Sequence, residues 1–119
     1  MYSFPKSARL LRAAEFTAVF KQAELNVAAG PLRIRAIKNR MRCARLGLVV
    51  TKKGNPKANR RNRLKRIIRE QFRLTAAELP SVDIVVQVFG EIDDARLAAT
   101  LEKQFKRIGR EFFDDQNGQ

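Results

Sequence analysis

Residues 46–89 read LGLVVTKKGNPKANRRNRLKRIIREQFRLTAAELPSVDIVVQVF, and the order of patterns within this stretch decides the fold. Leu46–Thr51 is an apolar run of strand length, and its uniform apolarity predicts a central strand. Lys53-Gly54-Asn55-Pro56 is a breaker cluster that ends it. From Ala58 to Ala77 the period becomes helical. With Leu64 at the centre of one face, Ile67, Ile68, Gln71 and Thr75 fall near it and Phe72 flanks it, while Asn62, Arg66, Arg69 and Arg73 fall opposite. Pro80 and Ser81 close the connection, Asp83–Phe89 reads as another strand, and Gly90 ends it. Strand, helix and strand predict a βαβ unit, which the general rule for such crossovers makes right-handed.

Downstream, Asp93-Asp94 fits a helix start, because carboxylates favour the free N–H groups there. Leu97, Leu101, Phe105, Ile108 and Phe112 then mark one face of a long amphipathic helix, and residues 114–119 are expected to form a frayed tail. Upstream, residues 1–11 read as extended, with Pro5 opposing an early helix. A short helix is predicted over Arg12–Gln22, where Phe16, Val19 and Phe20 share a face. After Gly30-Pro31 the alternation Leu32, Arg33, Ile34, Arg35, Ala36 has the period of a half-buried strand. Asn39–Arg45 is then expected to be a basic connection between antiparallel neighbours. The order α-β-β-(β)-α-β-α predicts an α+β fold, a small two-layer α/β sandwich forming a single domain over residues 1–119.

Composition narrows the partner. Hydrophobic residues make up 45% of the 119, enough for one modest core. Against them stand 25 Lys plus Arg and 12 Asp plus Glu, a formal charge of +13. That self-repulsion is relieved by a polyanion, of which nucleic acid is the usual one. The apolar runs are too short to span a bilayer, and the N-terminus lacks the apolar segment of a secretion signal, so the cytoplasm is the expected compartment and no membrane partner is expected. Cys43 is the lone cysteine, read as an incidental thiol, and there is no histidine, which argues against a zinc site and a Cys/His nucleophile.

Lys52, Lys53, Lys57, Arg60, Arg61, Arg63, Lys65, Arg66, Arg69 and Arg73 face one acid, Glu70, within residues 52–73. A helix that merely faces solvent interleaves signs three and four residues apart, and this one does not. Lys57, Arg60 and Arg61 also crowd the helix start, where the macrodipole disfavours positive charge by about 0.3–1 kcal/mol each. A polyanion docking on this face accounts for both features. Arginine forks suit phosphate, Asn62 can donate and accept within the same stripe, and phosphate contacts give affinity without sequence readout, so a shape-reading RNA binder fits best. A helix-turn-helix would need a second helix where LGLVVT reads as strand.

KKGNPKANRRNRLKRIIRE, residues 52–70, resembles the signature of the ribonuclease P protein family, an Arg-Asn-Arg box followed by Lys-Arg and a further Arg. Here these are Arg61-Asn62-Arg63, Lys65-Arg66 and Arg69, with Ala58 at the family spacing; Asn59 stands where an aliphatic residue is common. FPKSARLLRAAEFTAVF is similar to the family's opening pattern, LGLVVTKK matches the strand before the box, and the resemblance spans about residues 4–112. It implies a left-handed βαβ crossover, which overrides the general rule. It further implies a catalytic RNA subunit as cofactor and partner, precursor tRNA as the other partner, magnesium held mainly by RNA, and no required stable protein partner. In such a protein Lys52, Lys53, Lys57, Arg60, Arg61, Asn62, Arg63, Lys65, Arg66 and Arg69 contact RNA. Phe16, Phe20, Arg33 and Arg35 line a cleft for the single-stranded 5′ leader, where aromatic faces beside cations suit unpaired bases; for Phe16 packing in the core is an equal alternative, because FxxVF is also what any short amphipathic helix needs.

The expected activity is that of an accessory subunit in endonucleolytic leader removal, with no catalytic and no metal-binding residue in the protein. The acids, Glu70, Glu91, Asp93, Asp94 and Glu111–Asp115, form no acid/base pair by spacing, and Asp93-Asp94 reads as a helix cap. A ribosomal or RNA-chaperone protein is the nearest alternative, followed by a DNA-binding regulator and a self-sufficient nuclease.

Overall fold

A computed structural model describes residues 9–10, 13–41 and 43–117, with side chains through Phe112. The elements are α1 (Ala13–Gln22), β1 (Leu25–Ala29), β2 (Leu32–Lys38), β3 (Arg45–Val50), α2 (Ala58–Thr75) with a 3-10 turn at Ala76–Glu78, β4 (Val82–Val88) and α3 (Asp94–Asn117). The fold is α+β, as the patterns predict, with the uncertain third strand present. Arg12, Arg42 and most of the expected extended segment 1–11 lie outside the described residues. α3 continues through residues 114–117, where a tail is expected; no proline or glycine interrupts the chain between Gly109 and Gly118.

The four strands lie in the order β1-β2-β4-β3. β2 runs antiparallel to β4, and β3 parallel to it, so β3, α2 and β4 form the expected βαβ unit. The central position belongs to β4, where six of seven residues are buried, rather than to β3. The uniform apolarity of β3 has another cause. Leu46 and Val50 enter the core beneath α2, Gly47 meets α1 on the opposite face, and the outer edge is met by the N-terminal segment, where the Leu10 N–H donates to the Leu46 carbonyl at 3.0 Å. Nor does Asn39–Arg45 join neighbouring strands. It crosses the end of β4, where Asn39 donates to Asp83 at 2.7 Å and to the Cys43 carbonyl at 3.2 Å.

Alternation along the strands divides the sheet between two cores. Leu32, Ile34, Ala36, Ile84, Val86 and Val88 join Leu64, Ile68 and Phe72 of α2 and Leu97, Leu101, Phe105, Ile108 and Phe112 of α3 in the main core. Val85, on the opposite face, packs with Val19 of α1 and Leu10, flanked by Phe16 and Ile37. α1 therefore adds a third partial layer to the expected two, because its apolar face has only the back of the sheet to cover.

A polar brace secures that layer. Arg45 on β3 donates from Nε and Nη2 to the two oxygens of Asp83 on β4, each at 2.8 Å, and from Nη1 to Glu15 on α1 at 2.7 Å. With only 15% of the Arg45 side chain and 10% of the Asp83 side chain exposed, the bidentate pair is shielded from water. The hydrogen bond that Arg45 donates to Asp83 raises the Arg45 pKa against the opposing effect of burial.

Candidate nucleic-acid interface

Two separate surfaces emerge from this frame. The first is the outer side of α2. Leu64, Ile68, Phe72 and Thr75 are buried, and the side chains opposite them must face outward. Asn62, Lys65, Arg66, Arg69, Glu70 and Arg73 line a shallow groove of about 440 Å³. Only the far end carries a matched acid: Arg73 pairs with Glu70, three residues earlier, which lowers the Glu70 pKa. At the start of α2 the first turn holds no acidic residue, and no side chain caps it.

The ten basic residues divide by partner. Lys52, Lys53, Lys57, Arg66 and Arg69 are exposed, and Lys65 is half-buried. Arg60 and Arg61 sit at the margins of the buried face and turn back into the protein. Arg60 donates to Asp94 at 2.5 Å and to the Ile92 carbonyl at 2.7 Å, while Arg61 donates to the Asn55 and Pro56 carbonyls at 3.0 and 2.8 Å. Arg63 belongs to both groups: its Nε donates to Asp94 at 2.5 Å, yet 66% of its side chain is exposed, leaving the guanidinium tip to reach outward. Hydrogen bonds from Arg63 and then Arg60 hold the Asp94 carboxyl below its ordinary range. Thus Asp93 alone is the expected cap, accepting from the Arg96 N–H at 3.1 Å, and its neighbour clamps α3 to α2. Sequence spacing offers no sign of this clamp, because its partners lie 34 and 31 residues apart.

The second surface is the α1 side of the sheet, and the four residues expected to line a leader cleft all lie on it. The Arg35 guanidinium lies 5.3 Å from the centre of the Phe20 ring, within cation–π range, and donates to Gln87 on β4 at 2.5 Å. Phe16 and Phe20 are 6.3 Å apart between ring centres. Arg33 projects two residues before Arg35 on the same face and is exposed. The two rings differ in setting. Phe16 is half-buried over Gly47, where an added Cβ would lie 2.6 Å from the ring, whereas Phe20 is 39% exposed.

The acids leave little for a protein-held metal. Asp83 and Asp94 are occupied by arginines, Asp93 by a helix N–H and Glu70 by Arg73. Among the described residues no group of three or more His, Cys, Asp or Glu side chains converges as a metal would require. This donor set does not fit a resident magnesium ion.

Against known proteins, a family model described as Ribonuclease P matches residues 4–112. The chain belongs to the ribonuclease P protein family. A ribonuclease P protein component from Erwinia tasmaniensis is 39% identical over 108 residues, covering 88% of this chain and 90% of that one. The fold is similar to that of the Staphylococcus aureus ribonuclease P protein, with a TM-score of 0.75 at 26% identity over 87% of this chain and 95% of the other. It is also similar to the ribonuclease P protein of Thermotoga maritima, with a TM-score of 0.69 at 34% identity over 84% and 96% of the two chains. As a ribonuclease P protein, the chain is the accessory component of an endoribonuclease.

Proposed function

We infer that this protein works in ribonuclease P through two surfaces, with the outer face of α2 docking the catalytic RNA and the cleft under α1 holding the 5′ leader of precursor tRNA. The observation that carries this reading is the division of side chains. Exposed cations cluster on one face of α2 without acids to match them, and exposed aromatic and guanidinium groups meet on the far side of the sheet.

Each surface suits a different form of RNA. Point charges and forks along a rigid helix match a folded RNA's phosphates. A ring with a guanidinium beside it matches unpaired bases, each stacked base contributing about 1–3 kcal/mol. α1 is held over the cleft by Glu15, Arg45 and Asp83, so the rings are positioned before substrate arrives. Bond cleavage belongs to the RNA, magnesium is held by RNA and substrate phosphates, and the protein's cations lower the magnesium needed for folding and substrate retention.

Reconstitution tests this reading. The protein alone, freed of contaminating nucleases, should leave precursor tRNA intact, and adding catalytic RNA should give cleavage at low magnesium. Arg66→Ala with Arg69→Ala should weaken binding to the RNA subunit with or without a leader. Phe20→Ala should weaken holoenzyme binding to precursor tRNA but leave mature tRNA binding nearly unchanged. Sustained cleavage by RNA-free protein, or identical defects from both variants, would overturn the division of labour.

A further inference from the structure

Phe20 and Phe89 expose almost the same share of a large ring, 39% and 40%. Phe89 follows the last residue of β4, and its N–H donates to the Pro31 carbonyl at 2.8 Å, continuing the β2–β4 ladder by one step. Val86 and Val88 enter the main core, so alternation puts Phe89 on the opposite face with Val85 and Gln87. That face is the floor of the cleft. Phe89 thus has no role in the main core, and its exposure matches that of the ring already assigned to base contact.

Its position along the cleft is also defined. Arg35, which stands against the Phe20 ring, pairs in register with Val85. Phe89 is four residues farther along β4, a distance of about 13 Å at the usual strand rise. This is the end at which β3 leaves the sheet for α2: the Thr51 N–H donates to the Val88 carbonyl at 3.0 Å, and the exposed Lys52 and Lys53 follow. A stacked single strand advances about 3.4 Å per nucleotide and an extended one advances more, so the two rings are separated by at most about four nucleotides.

We propose that Phe89 is a further base-stacking residue of the leader cleft, meeting the leader up to about four nucleotides nearer the cleavage site than the nucleotide at Phe20. This rests on the leader-cleft reading above. The order follows from that reading: the RNA docked on α2 supplies the cleaving centre, so a leader emerging from it passes the α2 end of the cleft first.

The test is holoenzyme binding to a series of precursor tRNAs whose leaders shorten one nucleotide at a time, with mature tRNA as reference. With a long leader, Phe89→Ala should weaken binding about tenfold, Phe89→Leu should do the same while keeping the fold, and Phe89→Trp should restore it. As the leader shortens, the Phe20→Ala defect should vanish first, and the Phe89→Ala defect should persist to leaders shorter by no more than about four nucleotides. A Phe20 defect without a Phe89 defect overturns the proposal and leaves the leader cleft standing; loss of both defects removes the cleft itself. A Phe89 defect equal for mature and precursor tRNA, or one that vanishes before the Phe20 defect, also overturns it.

Discussion

α2 and α3 pack side by side with similar apolar faces against one sheet, yet their outer faces differ in kind. α3 carries five basic and five acidic residues, and its exposed face pairs Glu102 with Lys106 at 3.9 Å and Arg107 with Glu111 at 3.0 Å, each at the four-residue spacing that supports a solvated helix. α2 carries seven basic residues and one acid. Two helices under the same packing demand thus separate what stability requires from what a partner requires. The apolar face answers to the core in both. The sequence of α3 carries as many acids as bases, whereas α2 carries a cationic excess that its one acid cannot match.

The largest expected effect is a direct break of this contrast. Lys65→Ala, Arg66→Ala and Arg69→Ala together should reduce affinity for the catalytic RNA on the order of a hundredfold at moderate salt. With about six phosphate contacts in the parent, the log–log salt slope should be roughly −4 to −5 and should flatten by about two to three in this variant. Lys103→Ala, Lys106→Ala and Arg107→Ala on α3 remove the same charge and should leave both affinity and slope nearly unchanged. Binding titrations across a salt series measure this, and equal losses from the two helices would erase the distinction.

A finer comparison lies within α2. Arg61→Ala strips a guanidinium from two loop carbonyls and should lower stability by about 1 kcal/mol, seen as an earlier denaturant midpoint. Arg66→Ala should leave that midpoint in place and weaken RNA binding instead. A shift for Arg66 comparable to that for Arg61 would mean that the outward cations also serve the fold.

A smaller change is expected from Asp94→Asn, which releases Arg60 and Arg63 from a shared carboxylate. RNA affinity should rise a few-fold at low salt, with a slope steeper by up to about one as Arg63 becomes free for phosphate. Tighter binding with no change in slope would show that Arg63 is not the group released. The smallest effect concerns pH. The folded Asp94 carboxyl has a lowered pKa, so the clamp contributes fully above the ordinary carboxylate value of about 3.9 and is lost as pH falls through the lowered value. The stability difference between the parent and Asp94→Asn should therefore be flat from about pH 5 to 8 and close only in stronger acid, as followed by denaturant unfolding.

The sequence made the two amphipathic helices legible because each repeats its apolar residues over many turns, and β4 legible because it is apolar between clear breaks. β3 shows the limit of that logic. Burial on both faces plus an edge met by Leu10 yields the same apolar run as a central place would, so composition could not separate the two. α1 was visible as a helix, but which face of the sheet it covers depends on where α2 and α3 already lie. The Arg-rich box was legible as a set. The inward turn of Arg60 and Arg61 was not, since their acceptors are backbone carbonyls of the preceding loop and groups at the start of α3. In the sequence Phe89 is no more than the last residue of a strand pattern. Its exposure beside a cleft follows from the register of β4 against β2.

Gly47 seats the Phe16 ring by what it lacks. Because an added Cβ would stand 2.6 Å from the Phe16 ring and 3.1 Å from the Leu10 Cβ, even alanine at this position would force the ring to shift. How closely the Phe16 ring rides on the sheet is therefore set by a missing methyl group beneath it.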